Sequence, residues 1–202
     1  MADQEVPAVR VYQIKVTLRD LEPPIWRRVL VRSDMTLKGL HNVLQVVMDW
    51  EGYHMHEFAI GKRRIGVPDK ENFYEVENEG RIKLYQIVSR PRCKFYYIYD
   101  LGDNWEHELL VEKILPVDEG AFYPICIAGE RAAPPEDCGG LWGYTDILDR
   151  LQERQTQPAE SEAAIEGDEQ TPWWAGLDSE AFDLDKINRR LQSRFRRWQK
   201  RG

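Results

Sequence analysis

Residues 97–115, YIYDLGDNWEHELLVEKIL, contain the clearest structural signal in the sequence, which is that of two strands joined by a turn. Phe95, Tyr97 and Tyr99 alternate with Tyr96 and Ile98, and this two-residue period is typical of a strand rich in aromatic side chains. The segment DLGDN that follows supplies residues that tolerate a positive φ or bond their own backbone, as a tight turn requires. The stretch therefore predicts a β-hairpin.

The second strand of this hairpin is predicted to have one apolar face and one acidic face. Trp105, His107, Leu109 and Val111 share one parity along the strand, whereas the glutamates of the same segment share the other. We therefore expect His107 to point towards the core. The two aspartates of the turn, Asp100 and Asp103, are expected at its tip.

The size and composition of the chain are typical of a soluble globular protein. It has 202 residues, of which 42% are hydrophobic and 31% are charged, and no apolar run approaches the roughly 20 residues that span a bilayer. The first ten residues, MADQEVPAVR, lack a basic region followed by an apolar one, so no export signal is predicted. We therefore expect a cytoplasmic protein with no membrane partner, in which Cys93, Cys126 and Cys138 are reduced thiols.

The net charge of −7 conceals an uneven distribution of charge. Residues 186–201 hold eight of the 28 basic residues and no acidic residue, which leaves 20 basic against 35 acidic residues, a formal charge of −15, elsewhere. Because such a body repels phosphate backbones, nucleic acid or another acidic partner is expected to contact only the basic end. The predicted contact residues are Arg189, Arg190, Arg194, Arg196, Arg197, Lys200 and Arg201. The alternative is a helix that packs its apolar face on the domain and solvates its basic face.

Hydrophobic periodicity predicts further elements on both sides of the hairpin. Alternating residues predict strands at 11–18, 25–31 and 53–60, and residues 37–48 have the spacing of a helix capped by Asp34 or Thr36. Residues 61–81 are polar and irregular, and residues 116–140 are predicted to be a stiff loop rich in proline. We therefore predict an α+β fold with an antiparallel or mixed sheet of about five strands, packed by an N-terminal helix in a β-grasp-like arrangement.

The sequence predicts one domain with appended segments. The divisions are a disordered N-terminus at residues 1–9, an α+β core at residues 10–151, an acidic linker or weak helix at residues 152–170, and a C-terminal segment at residues 171–202. An amphipathic basic helix ends that segment. We expect it to dock on the core through Trp173, Trp174, Phe182 and Leu184.

Five ordered motifs resemble a known family. They are YQIKVTLRDLEPPIWRRVLV at residues 12–31, MDW at 48–50 followed by HMHEF at 54–58, YDLGDNWEH at 99–107, PPEDCGGLWGY at 134–144 and FDLDKINRRL at 182–191. Together they resemble the open-reading-frame-three-like proteins of the Ri plasmid, also known as insertion-sequence passenger proteins of TnpR type. The resemblance covers about residues 10–192. It implies an α+β domain found in bacteria and archaea, often near mobile elements, with no established activity.

Polar residues of three motifs predict a pocket between the HMHEF strand, the YDLGDNWEH hairpin and the PPEDCGG loop. As catalytic groups, the carboxylates would need burial or a neighbouring negative charge to raise their pKa values. The alternative is that they cap a helix or form turns by accepting backbone N–H bonds. The predicted pocket residues are His54, His56, Asp100, Asp103, Trp105, His107, Glu136 and Asp137.

Zinc is the metal that the residue types favour, because imidazoles and thiolates are its usual ligands. The candidate ligands are His56, His107, Cys126 and Cys138. Eleven residues separate the two cysteines, a spacing that matches no compact zinc motif. Histidines that are hydrogen-bonded within a core layer are therefore the alternative interpretation.

These patterns predict a non-enzymatic binding or accessory module, and the family resemblance implies an association with plasmids or mobile elements. A hydrolase that depends on a metal or on histidine and carboxylate groups is one alternative, since the same residues could serve it. Nucleic-acid binding through the basic C-terminal helix is another. The unknown partner is expected to be a protein or a nucleic acid.

Overall fold

The computed structural model describes residues 7–68, 76–156 and 172–199. The strands are β1 Val11–Leu18, β2 Trp26–Arg32, β3 His56–Ile60, β4 Arg63–Gly66, β5 Glu77–Asn78, β6 Lys94–Tyr99, β7 Trp105–Leu115 and β8 Ile125–Glu130. The helices are α1 Leu37–Val47, α2 Gly140–Thr156 and α3 Leu184–Gln199, and short 3₁₀ turns occupy Leu84–Gln86 and Trp173–Gly176.

All eight strands of the described residues form one mixed sheet in the order β5-β4-β3-β6-β7-β1-β2-β8. Neighbouring strands are antiparallel except β4 and β5, which are parallel. The predicted α+β class is confirmed. The prediction of about five strands in a β-grasp-like arrangement is wrong, because three further strands extend the sheet at its two edges.

The three missed strands lack a strong sequence signal. β4 and β5 have only four and two residues, so neither is long enough to show an alternating pattern. β8 lies inside the segment that the prolines and glycines marked as a loop, and only one of its six residues, Cys126, is buried. Edge strands of this kind are defined by hydrogen bonds to their neighbours, here β2 for β8, rather than by side-chain periodicity.

Helix α1 covers one face of the sheet, as its spacing predicts. The Thr36 side chain accepts a hydrogen bond from the Gly39 N–H at 3.1 Å, so Thr36 and not Asp34 caps the helix. The apolar stripe of α1 is buried in the core, including Leu37, Leu40 and Leu44. Burial of such side chains contributes roughly 1.5–3 kcal/mol each, so this face fixes the helix on the sheet.

Helix α3 packs against β8 and α1 mainly through apolar residues of its own, together with part of the predicted set. Ile187, Leu191 and Phe195 are buried in the core at four-residue steps. Phe182 and Leu184 pack at the edge of that core as expected, whereas Trp173 is 64% exposed. Trp173 therefore does not dock the helix.

The predicted boundary between core and linker at residue 151 falls inside α2, which continues to Thr156. Most of the predicted linker, residues 157–170, and most of the predicted disordered N-terminus, residues 1–6, lie outside the described residues. Within the described parts of the chain, no helix has the length and apolar character needed to cross a membrane.

Candidate functional site

Three segments that are distant in sequence meet at one end of the sheet. They are the segment between α1 and β3, the turn between β6 and β7, and the loop after β8, residues 131–139. The Trp50 indole N–H donates to the carbonyl of Pro134 at 2.8 Å, and the Glu51 N–H donates to the Glu136 carboxylate at 2.8 Å. These bonds tie the loop after β8 to the end of α1.

The start of α2 lies backbone to backbone against the β6–β7 turn and against its own preceding loop. A Cβ atom on Gly140, which has a φ of +65°, would lie 2.7 Å from the carbonyl oxygen of Asp103. A Cβ atom on Gly143 would lie 1.9 Å from the carbonyl oxygen of Cys138. Only glycine permits both approaches, so the glycines of the PPEDCGGLWGY motif set the position of the loop.

One histidine and two aspartates converge where the three segments meet. His54 Nδ1 lies 3.5 Å from Asp100 Oδ2, and His54 Nε2 lies 3.1 Å from Asp137 Oδ1. One potential ligand atom from each residue lies within 4.8 Å of the others, and no second such group of three occurs in the described part of the chain. We call these three residues the triad.

The backbone conformation of two turns orients the two carboxylates of the triad. Asp100 and Asp137 adopt left-handed backbone conformations, with φ values of 56° and 58°, which aspartate tolerates better than most residues. Asp100 Oδ1 accepts the N–H groups of Gly102 and Asp103 at 2.9 and 3.3 Å, which leaves Oδ2 facing His54. Asp137 Oδ2 accepts the Tyr53 hydroxyl at 3.2 Å, and its Oδ1 faces the same histidine. The turns therefore leave one oxygen of each carboxylate for a ligand.

Glu136 is next to the triad but is fully engaged in holding the loop. The Tyr99 hydroxyl donates a hydrogen bond to Glu136 Oε1 at 2.5 Å, and the Glu51 N–H donates one to Glu136 Oε2. Burial, together with this hydrogen bond to Glu136, raises the pKa of Tyr99 well above its ordinary value, so the hydroxyl keeps its proton. Glu136 is thus a structural acceptor in this arrangement.

His107 lies in the core, on the face that its parity predicts. It is fully buried, and its Nδ1 lies 3.0 Å from the carbonyl of Trp105 and 3.3 Å from that of Tyr97, so Nδ1 carries the proton. Burial lowers the pKa of His107 to about 4. Trp105 is also buried. These two predicted pocket residues therefore lie in the core and are not part of the triad, although Trp105 lines a cleft that also contains Asp103.

The four predicted zinc ligands lie apart. His56 Nε2 lies 2.8 Å from Glu79 Oε2, and both side chains are almost fully buried. Cys126 is buried on β8. Burial raises the pKa of the Cys138 thiol to about 11. None of the four, His107 included, belongs to a group of three potential metal ligands in the described residues. Asp103, the remaining predicted pocket residue, lies on the other side of the turn, in a cleft of about 330 Å³ that includes the exposed Trp142.

The sequence interpretation missed a buried polar network beneath the site. His41 stacks on His56 with ring centroids 3.6 Å apart, and its Nδ1 lies 2.8 Å from the Tyr97 hydroxyl. The Gln45 amide donates to the same hydroxyl at 2.8 Å. The hydroxyl proton is therefore donated to His41. The helical spacing of His41 and Gln45 on α1 could have indicated that they share a face.

Replacing Tyr97 with phenylalanine is expected to lower the free energy of unfolding by about 2–6 kcal/mol. The change removes the acceptor of Gln45 and the donor to His41 and leaves both groups buried, and each unsatisfied buried group costs about 1–3 kcal/mol. Urea denaturation followed by circular dichroism measures the loss. Tyr96→Phe is the matched control, because Tyr96 is on the same strand but 36% exposed. Equal effects of the two substitutions would contradict the role given to the network.

The basic residues of α3 divide into engaged and solvent-exposed groups. Arg190 pairs with Asp49, and Arg194 donates to the Asn42 side chain at 2.5 Å. The other predicted contact residues within the described range are exposed: Arg189, Arg196 and Arg197. Lys200 and Arg201 lie outside that range. Nucleic-acid contact through this helix stays a prediction.

The chain is similar to known proteins in both sequence and structure. The model of a family described as plasmid pRiA4b ORF-3-like protein matches residues 10–189. The uncharacterised protein y4hQ of Sinorhizobium fredii is 32% identical over 196 residues, covering 95% of this chain and 96% of the relative. A crystal structure of a protein of unknown function from Methanosarcina mazei Go1, MM3350, is similar with a TM-score of 0.73 and 36% identity, covering 89% of this chain and 97% of the other.

Proposed function

The chain belongs to the plasmid pRiA4b ORF-3-like family, and from that premise we propose that it is a binding module whose ligand is a divalent metal ion held by His54, Asp100 and Asp137. The relatives carry no stated activity, so the proposal depends on the chemistry of the triad. An association with plasmids or mobile elements is proposed from the family description alone.

The observation that carries this proposal is an imidazole placed between two carboxylates, with one of its ring nitrogens buried and without a hydrogen-bond partner in the described chain. Asp137 Oδ1 lies 3.1 Å from Nε2 and Asp100 Oδ2 lies 3.5 Å from Nδ1, and the buried Nε2 has no hydrogen-bond partner within the described chain. A cation bound by one ring nitrogen and by one oxygen of each carboxylate would take one ligand from each of the three residues, whose ligand atoms lie within 4.8 Å of one another. Small side-chain rotations bring such ligands to the usual distances of about 2.0–2.2 Å.

The ligand set favours a divalent d-block ion such as Zn²⁺ or Mn²⁺, because these ions accept both imidazole and carboxylate ligands. One nitrogen and two oxygens are too few and too mixed for a calcium cage, which takes six to eight oxygens. Three protein ligands also leave coordination positions open for water or for a partner. The Asp137 side chain is 63% exposed, which makes the site accessible from solvent.

Binding is favoured over hydrolysis because Glu136, the carboxylate that precedes Asp137 in the chain, is already occupied. A metal-dependent hydrolase also needs a group that takes a proton from the attacking water. Glu136 is beside the triad, but Tyr99 and the Glu51 backbone engage both of its oxygens. The arrangement therefore supports a site that holds an ion and presents its open positions to a partner.

Metal binding should be lost when Asp137 is replaced by asparagine. We expect untagged protein stripped with a chelator to bind Zn²⁺ or Mn²⁺ at one ion per chain, measured by calorimetry and elemental analysis. The affinity of Asp137→Asn should fall by more than about 100-fold, because even second-shell substitutions typically cost 10–100-fold. Asp137 is exposed, so the variant should keep its fold.

Asp149→Asn is the matched control, because Asp149 is an exposed aspartate on α2 outside the triad. Its affinity for the ion should equal that of the wild type. The proposal fails if the stripped wild-type protein binds neither ion, or if Asp137→Asn binds as tightly as Asp149→Asn.

A further inference from the structure

A second cleft, of about 430 Å³, lies on the far side of the loop after β8. Its walls are the end of α1, residues 132–136 of that loop, the segment that precedes α3 and the first turns of α3. The volume is within the range of small-molecule sites, about 300–1,000 Å³. The cleft shares Glu136 with the surroundings of the triad but contains none of the three triad residues.

The cleft contains a buried cation that has no carboxylate partner. Arg27, on β2, is 3% exposed and lines the cleft, and no carboxylate of the described chain lies within 4 Å of it. Its guanidinium is held by carbonyl groups alone: Nε donates to Val47 at 2.8 Å, and Nη1 donates to Trp26 and Glu130 at 2.9 and 2.8 Å. Nη2 has no acceptor within the described residues. Such a charge is expensive to bury unless an anion joins it.

The guanidinium remains a cation at neutral pH in spite of its burial. Burial lowers the pKa of Arg27 to about 10, which is still well above neutrality. The ring of Phe182 lies over it with 4.9 Å between the guanidinium carbon and the ring centroid. This contact stabilises the charge from one side but provides no hydrogen-bond acceptor.

The three carboxylates that line the same cleft are already engaged elsewhere. Asp49 pairs with both Lys186 and Arg190 of α3. Asp183 accepts the Lys186 N–H at 2.7 Å and thereby caps α3, and Glu136 is bound by Tyr99 and Glu51. None of these carboxylates is therefore available to pair with the Arg27 guanidinium.

We propose that this cleft binds a small organic carboxylate with an apolar body, whose carboxylate pairs with Arg27. A single carboxylate matches one guanidinium in charge and in its two-oxygen geometry. Apolar side chains form most of the rest of the wall, including Val47, Met48, Leu177 and Ile187, so the body of the ligand is apolar. The start of α3, with its positive helix dipole, also borders the cleft and favours an anion.

Calorimetry at constant ionic strength tests the proposal with three probes: sodium phenylacetate, its neutral analogue phenylacetamide, and sodium phosphate. We expect saturable binding of phenylacetate with a dissociation constant in the millimolar range or tighter. Phenylacetamide should bind at least about tenfold more weakly, because it carries no charge for Arg27. Phosphate should not compete, since the apolar walls offer nothing to a strongly hydrated dianion.

Two substitutions locate the binding. Arg27→Met should abolish phenylacetate binding if the variant folds, which circular dichroism checks. Ala181→Phe leaves every bond of Arg27 in place and fills the cleft from an exposed position, so it should weaken binding at least about tenfold. Ala8→Phe, the same change at an exposed site outside the cleft, should bind like the wild type.

The inference is overturned by any of three results. They are no saturable binding of phenylacetate, equal binding of the acid and the amide, and unchanged binding in Ala181→Phe. Binding of phosphate in preference to phenylacetate would overturn the class of ligand. Because Ala181→Phe leaves the triad untouched, the result is independent of whether the triad binds a metal.

Discussion

Replacing Gly143 with alanine is expected to destabilise the protein by about 3 kcal/mol or more, or to prevent it from folding. The new methyl group would lie 1.9 Å from the carbonyl oxygen of Cys138, and backbone atoms cannot rotate aside as a flexible side chain can. Overpacked cores lose about 1–3 kcal/mol and occasionally more. Helix propensity alone predicts the opposite change in stability, because alanine at an ordinary helical position stabilises the helix by about 1 kcal/mol relative to glycine.

Thermal and urea denaturation of purified Gly143→Ala measure this loss. Gly176→Ala is the control, because no atom lies within 4 Å of the Cβ that it adds and its φ is not positive. The control should change the free energy of unfolding by no more than about 0.5 kcal/mol. Equal stability of Gly143→Ala and the control would mean that α2 does not approach the carbonyl of Cys138 this closely.

The protein is expected to lose stability steeply as the pH falls from about 6.5 towards 4. Burial holds the pKa of His107 at about 4 and that of His41 at about 3, below the value of 6.5 that histidine has when exposed. The unfolded chain therefore binds protons in this window before the folded chain does. The stability is fully present above pH 6.5 and is lost on acidification, by up to about 1.4 kcal/mol per pH unit for each histidine.

For His107 alone the loss between pH 6.5 and 4 amounts to roughly 3 kcal/mol. Urea unfolding at half-unit steps of pH measures the slope, and His107→Gln, which cannot titrate, should have a shallower slope across the window. Between pH 7 and 8 both proteins should have the same slope, because the buried histidine is neutral in both states there. Parallel curves for the two proteins from pH 6.5 to 4 would refute the assignment.

The sequence predicted those parts of the fold whose signals are local. β1, the β6–β7 hairpin and α1 each carry a clear period, and the structure has all three, with Thr36 as the helix cap. Side-chain parity also placed His107 towards the core correctly. The edge strands β4, β5 and β8 were missed, because their pairing is decided by neighbouring backbone rather than by their own residues.

The triad shows the same division between local and long-range information. His54, Asp100 and Asp137 were all named as pocket residues, because each lies in a motif rich in polar residues. Their mutual distances depend on glycine-mediated backbone contacts between segments about 40 residues apart, which no spacing reveals. The zinc ligands were predicted from residue type alone, as thiols and imidazoles. The residues chosen in this way, His56, His107, Cys126 and Cys138, do not form a group of metal ligands in the described structure.

The central position of β1 also has a consequence during synthesis on the ribosome. β1 pairs with β2 soon after both emerge, but its other partner is β7, and Leu18 pairs with His107, about 90 residues later. At roughly 5–20 residues per second, the nascent chain carries an open strand edge for on the order of ten seconds. The N-terminal hairpin is therefore the segment that molecular chaperones have most reason to shield.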